Sequence, residues 1–244
     1  MKSDFDGFKR TRVVKDLTFV TMTDYKVDLP NVLVAFPSQE VTPMAQILAD
    51  EGLKQFHTAE TEKYAHVTYF FNGGREQPFK GEDRELVPSA KVATYDLEPE
   101  MSAAGVAAAL VGAVRSGRYD FAIVNLANPD MVGHTGDFAA TLKAMEATDA
   151  AVGRIVDATL EAGGCVLLTA DHGNAEEMAF PNGETNTQHS TNPVPVIFIA
   201  KDPARFAVHD GGLVDVAPTL LGLFGLPVPS RMTGRSLLVD RPRT

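Results

Sequence analysis

Three continuous apolar runs, Phe121–Ala127, Cys165–Ala170 and Val194–Ala200, constrain this chain more than any other feature. A strand without polar alternation has no solvent face, so each run needs cover on both sides of its sheet. The intervening segments supply it. Met101–Arg115 is rich in Ala and Val and reads as a helix. Phe138–Ala162 has helical spacing (Leu142, Met145, Ala150, Val152, Ile155, Leu160), with Gly163-Gly164 as its stop. Val214–Phe224 closes as a helix ended by Gly225 and Pro227. Strands alternating with helices predict an α/β fold whose largely parallel sheet is covered by helices on both faces. In such sheets functional groups gather at the carboxyl ends of strands.

The first third is less regular. Leu17–Met22 and Asn31–Phe36 read as strands punctuated by Pro30 and Pro37, and Val41–Glu51 as a helix ending at Gly52. Val67–Phe71, before Gly73-Gly74, reads as a strand and turn. Met1–Arg12 is polar, lacks a helix-start signal, and does not read as the natural start of a domain. A hydrophobic content of 44% and a charged content of 22% describe an ordinary globular chain. The net charge of −10 argues against nucleic acid or an anionic membrane as the main partner, but not against a small anion held by local cations. The single cysteine, Cys165, has no internal disulfide partner, which fits a reducing cytoplasm. No secretory leader and no run of membrane-spanning length stands out, so the expectation is a soluble cytoplasmic protein.

Polar clusters follow these runs. Asp171 and His172 come directly after Cys165–Ala170, and Gly173 lets the chain turn away without a Cβ clash. Asp130 and His134 follow Phe121–Ala127, and one helical turn places both on one face. His189 stands shortly before Val194. Each cluster has a bland reading: Asp130 as a helix cap with His134 on the surface, Asp171-His172-Gly173 as an ordinary strand exit, His189 as uninformative. Jointly they make a set of two Asp and three His that suits manganese, zinc or another divalent ion in a two-metal hydrolase-type site. A closed structural zinc site would favour Cys, and none is in place. Lys63, among Glu60 and Glu62, is either a solvated charge or a cation directed at a phosphate. His57, His66 and His209 lack such surroundings and read as structural or surface residues.

The strings Ala59–Thr68, Asn128–Asp137, Thr169–Asn174 and Thr191–Pro195 together resemble cofactor-independent phosphoglycerate mutase, of the alkaline phosphatase superfamily. Asp215–Leu220 and Met232–Ser236 look like that family's C-terminal end, and the likeness runs from about residue 4 onward. The resemblance implies interconversion of 3-phosphoglycerate and 2-phosphoglycerate through a phosphoserine at two manganese ions. One ion would be held by Asp130, His134 and His189, the other by Asp171 and His172 with further help, and Lys63 matches a lysine on the phosphate side.

The family's nucleophilic serine and a further aspartate ligand lie in a leading segment that this sequence does not resemble. The resemblance therefore implies an incomplete alkaline-phosphatase-like fold. Residues 1–36 would be the tail of a phosphotransferase domain and its linker, residues 37–244 the C-terminal part of the phosphatase domain, with the hinge near residues 35–39. No catalytic nucleophile is assigned: Thr135 and Ser190 adjoin ligands, but such hydroxyls usually cap or orient. The expectation is little or no turnover by the chain alone. A phosphatase or phosphodiesterase of the same superfamily remains an alternative. So does a non-catalytic metal-binding fragment, or one that pairs with a separately encoded N-terminal half.

Overall fold

A polar segment forms the middle of the main sheet. The computed structural model describes residues 7–9, 11–12, 14, 17–23, 32–37 and 41–241. The chain divides into two units, Met1–Val41 and Thr42–Thr244. In the first, β1 (Phe19–Thr21) and β2 (Val32–Val34) pair in parallel, Phe19 opposite Val32. Both fall inside the two expected strands. Parts of the polar opening stretch and of the expected hinge, residues 1–6, 10, 38 and 39, lie outside the described residues.

The second unit opens with α1 (Met44–Asp50) and then β3 (Gln55–Glu60), in which every residue is buried. β3 lies between β4 (Glu82–Val87) and β5 (Phe121–Asn125), parallel to both. Neither β3 nor β4 is apparent from apolar patterning, because their side chains are largely polar. Burial is tolerated where those groups find partners. Gln55 Nε2 donates to the Ala45 carbonyl at 2.8 Å, and His57 Nδ1 lies 2.8 Å from the Val67 carbonyl. The fully buried Glu82 carboxylate accepts from the Asn72 amide and the Phe79 N–H, both at 2.8 Å, and from Arg84 Nε. Desolvation lowers the His57 pKa, which keeps that ring neutral inside the network.

The expected strand at 67–71 is instead helical. A 3₁₀ turn over Thr61–Lys63 runs into a π-type turn over His66–Phe70. Thr68 Oγ1 donates back to the Tyr64 carbonyl at 2.7 Å, and the Asn72 backbone N–H donates to the Thr68 carbonyl at 2.9 Å. Val67 and Thr68 turn inward while Phe70 is exposed. A short apolar run is ambiguous between the two periods, and here local hydrogen bonding and one-sided burial favour the helix.

α2 (Ala103–Arg115) covers one face of the sheet, its Ala103, Ala107 and Leu110 packed with Phe56 of β3. The short α3 (Asn128–Gly133) follows β5, and the long α4 (Phe138–Glu161) packs on α2 through Ala151 and Ile155. Asp137 caps α4 by accepting the Ala140 N–H at 2.8 Å. β6 (Val166–Thr169) and β7 (Val196–Ile199) pair antiparallel as a separate ribbon, Thr169 opposite Val196. β8 (Phe206–Val208), α5 (Val216–Leu223) and β9 (Leu238–Asp240) complete the unit, with β8 and β9 antiparallel. Leu221 of α5 joins Met44 and Leu48 of α1 in a second core that includes Phe71 and Phe121. Among the described residues no helix is long and apolar enough to cross a membrane.

Leu48 is fully buried and Leu142 is half exposed. Leu48→Ala should therefore cost about 3 kcal/mol, and Leu142→Ala at most about 0.5 kcal/mol, read from urea unfolding midpoints.

Candidate metal centre

Two strand systems deliver side chains to one point. Beyond β5 the chain turns into α3, whose first turn carries Asp130, with His134 just past its last residue. That i, i+4 spacing sets His134 Nε2 3.1 Å from Asp130 Oδ1. The β6–β7 ribbon supplies the rest. Because these strands run in opposite directions, the residues leaving β6 and those entering β7 lie at the same end. A bridge between Gly173 and Ser190 continues the pairing outward. His172, which follows β6, therefore meets His189, which precedes β7, and their rings stack with centroids 3.6 Å apart. His189 thus joins the cluster from the amino end of its strand.

Asp130 Oδ1 is the meeting point. His189 Nε2 is 3.1 Å from it, His172 Nε2 4.0 Å, and the two Nε2 atoms of His134 and His189 are 3.0 Å apart. Donor atoms of Asp130, His172 and His189 all lie within 4.8 Å of one another. Asp171 stands at the open side, half exposed, with Oδ2 3.6 Å from His172 Nε2. Asp130, His134, Asp171, His172 and His189 are thus neighbours.

Hydrogen bonds orient the groups around this point. His134 Nδ1 lies 2.7 Å from the Thr187 carbonyl, which can only accept, so Nδ1 carries the proton. His134 Nε2 faces a carboxylate oxygen and a second imidazole. Contacts this close are relieved either by a proton on His189 Nε2, which then donates to Asp130 Oδ1 or to His134, or by a cation among the three groups. A cation bonded at about 2.1 Å to ligands at right angles holds those ligands about 3.0 Å apart. The triangle of Asp130, His134 and His189 has sides of 3.1, 3.0 and 3.1 Å, so the residues fit a divalent ion.

The remaining contacts fix Asp130. Lys63 Nζ makes a short ion pair with Oδ2, and the Asn174 amide donates to Oδ1 at 2.9 Å. Lys63 is buried and turns away from its sequence neighbours: Glu60 accepts from Ser89 Oγ, Glu62 from Tyr95 OH. Burial alone would raise the Asp130 pKa. Lys63, Asn174 and His134 outweigh that and hold it at about 2. α3 approaches the Asn174 loop so closely that a Cβ on Gly133 would lie 2.4 Å from Asn174 Oδ1.

Several participants escape sequence reasoning. Thr187 contributes only a backbone carbonyl, which has no sequence signal. Asn174 closes the Thr169–Asn174 string and Glu176 lies two residues beyond it, and neither stands out there as a metal ligand. His66 is exposed, yet desolvation and Lys63 lower its pKa while Asp171 and Asp130 pull it back, so it lies within electrostatic reach of the cluster. The two hydroxyls considered as nucleophiles are engaged locally: Thr135 Oγ1 donates to the Val132 carbonyl at 2.6 Å, and Ser190 Oγ to Glu176.

A family model for the metalloenzyme superfamily matches residues 24–228, most of the chain. The chain belongs to the metalloenzyme superfamily. Its metalloenzyme sequence is 57% identical over 241 residues to the 2,3-bisphosphoglycerate-independent phosphoglycerate mutase of Thermomicrobium roseum, covering 96% of this chain and 46% of that protein. The protein of the same description from Chloroflexus aurantiacus is 56% identical, with 96% and 44% covered. Among solved structures, the phosphoglycerate mutase of Leishmania mexicana, determined at low cobalt concentration, superimposes with a TM-score of 0.80 at 34% identity. That match covers 98% of this chain and 47% of that one. This metalloenzyme chain spans a little under half the length of the relatives it matches. The fold is α/β with a parallel three-stranded sheet, and it superimposes on that phosphoglycerate mutase.

The lowered Asp130 pKa makes a pH prediction. A carboxylate whose pKa falls on folding, here from 3.8 to about 2, gives stability that is fully present above the unfolded value and lost as pH drops through the folded one. In metal-free protein Lys63→Met should cost about 2–3 kcal/mol at pH 7. That difference from the parent should shrink as pH falls from about 4 to about 2, as denaturant titrations at each pH will read.

Proposed function

We propose that the chain is the metal-binding C-terminal portion of a 2,3-bisphosphoglycerate-independent phosphoglycerate mutase, interconverting 3-phosphoglycerate and 2-phosphoglycerate in glycolysis and gluconeogenesis. What carries the reading is the triangle of Asp130, His134 and His189, whose sides of 3.1, 3.0 and 3.1 Å match the spacing of ligands around a divalent ion. It stands in a chain 57% identical to a protein of that description. Manganese, two ions, is the cofactor we assign, and the cytoplasm the location.

Asp130, His134 and His189 hold one ion, and Asp171 with His172 contributes to the second. Bound there, the ions neutralise phosphoryl oxygens and lower the pKa of a hydroxyl. Lys63 brings a fixed positive charge to the same edge, where it orients a phosphate as a point charge. Its pairing with Asp130 Oδ2 leaves Oδ1 turned toward the imidazoles. Asn174 holds the carboxylate plane, and the Thr187 carbonyl holds the His134 tautomer. The nucleophile and the groups that retain the glycerate belong, in this reading, to an N-terminal half, either contiguous or separately encoded. The engagement of Thr135 and Ser190 in local hydrogen bonds supports this.

The purified chain, given 3-phosphoglycerate and manganese, should bind the metal yet turn over little or none. Metal-dependent turnover that Asp130→Asn abolishes would place a nucleophile within these residues and overturn the division of labour. Asp171→Asn should weaken manganese binding by more than about tenfold, and His209→Asn should leave it unchanged. Equal binding after both changes, measured by calorimetry, removes the metal assignment.

A further inference from the structure

The loops carrying His172 and His189 meet at the Gly173–Ser190 bridge, where the Ser190 N–H donates to the Gly173 carbonyl at 2.9 Å. One backbone bond gives that junction little resistance to shear, yet the two rings beside it are held face to face. The Glu176 carboxylate spans the junction. On the β6 side, Oε2 accepts the Asn174 N–H at 2.8 Å. On the β7 side, Oε1 accepts the Ser190 hydroxyl in a short contact and the Asn192 side-chain amide at 3.1 Å. Asn192 donates again to Glu177 Oε2 at 3.0 Å. The carboxylate also presses on the backbone beside His172: a Cβ on Gly173 would lie 2.2 Å from Glu176 Oε1 and 2.2 Å from Ser190 Oγ. Three donors from two loops therefore converge on one anionic group, and charge-assisted bonds of this kind are the stronger ones. These bonds hold the Glu176 pKa below the ordinary carboxylate range against the opposing effect of desolvation.

We propose that Glu176 is a positioning residue that clamps the His172 loop to the His189 loop and so sets the spacing of the imidazoles at the metal centre. The inference rests on the metal reading above. It assigns Ser190 a role as well: its hydroxyl is the β7-side half of the clamp. Groups that orient metal ligands without touching the ion typically change affinity by about 10- to 100-fold when removed.

Cobalt(II), titrated into the full-length chain, is the probe, because its visible absorption reports ligand placement as well as occupancy. Glu176→Ala should weaken cobalt binding by about tenfold or more and change the visible band. Glu176→Gln, which can still accept from Ser190 and Asn192, should recover most of both. The double variant Glu176→Ala/Ser190→Ala should be no weaker than Glu176→Ala, since both changes open one clamp. His189→Ala separates the two readings. If it leaves cobalt binding intact, the metal reading falls and the clamp with it. If it abolishes binding while Glu176→Ala keeps the parental affinity and spectrum, the clamp alone is overturned. Additive losses in the double variant overturn it too. Should Glu176→Ala fail to fold, Ser190→Ala and Asn192→Ala each remove one donor, and parental spectra in both would be decisive against the proposal.

Discussion

Asp130 is the group on which separate parts of the second unit converge. Its carboxylate touches Lys63 from the turn after β3, His134 from its own short helix, and Asn174 and His189 from the loops around the β6–β7 ribbon. Few of those contacts are independent. Burial makes an unpaired charge costly, so Lys63 and Asp130 must be placed together or not at all. Asp130, once placed, meets Asn174 and His189 and so ties the sheet carrying β3 and β5 to the loops of the ribbon. The site is thus a product of tertiary assembly, and each ligand belongs to a segment that has no reason to adopt its course alone.

Directionality in the ribbon has equal weight. A parallel β7 would enter from the opposite end of the sheet, and His189 would then lie a strand's length from His172. Antiparallel pairing instead makes the segment from 170 to 195 an excursion that starts and finishes at one edge. Such an excursion can vary in its outer part while its two feet stay registered. Its outer part is itself ordered by a second bridge, Ala179 with Thr185.

Legibility in the sequence followed chemistry closely. The apolar runs that became β5, β6 and β7 announced themselves as strands by composition, although β5 is only half-buried and Ile197 of β7 is exposed. Asp130 and His134 were legible because helical spacing alone makes them neighbours. β3 was not, because Gln55, His57 and Glu60 satisfy burial through partners that are remote or backbone, a solution that leaves no period to read. The segment 67–71 failed for a different reason: five residues are too few to separate two periods, and tertiary cover on Val67 and Thr68 decided the outcome. The direction of β7 was likewise invisible, since strand sense depends on the path of the loop and not on strand composition.

The polar make-up of β3 has a consequence for the life of the chain before it folds. A central strand is ordinarily the segment best suited to stack with copies of itself, because it is apolar and built to pair on both edges. Here the segment between two neighbours reads Gln-Phe-His-Thr-Ala-Glu, with a carboxylate at its end. Exposed on a nascent or partly unfolded chain, it carries charge and hydration that oppose self-association. The strand most demanding of partners in the native sheet is therefore among the least adhesive outside it.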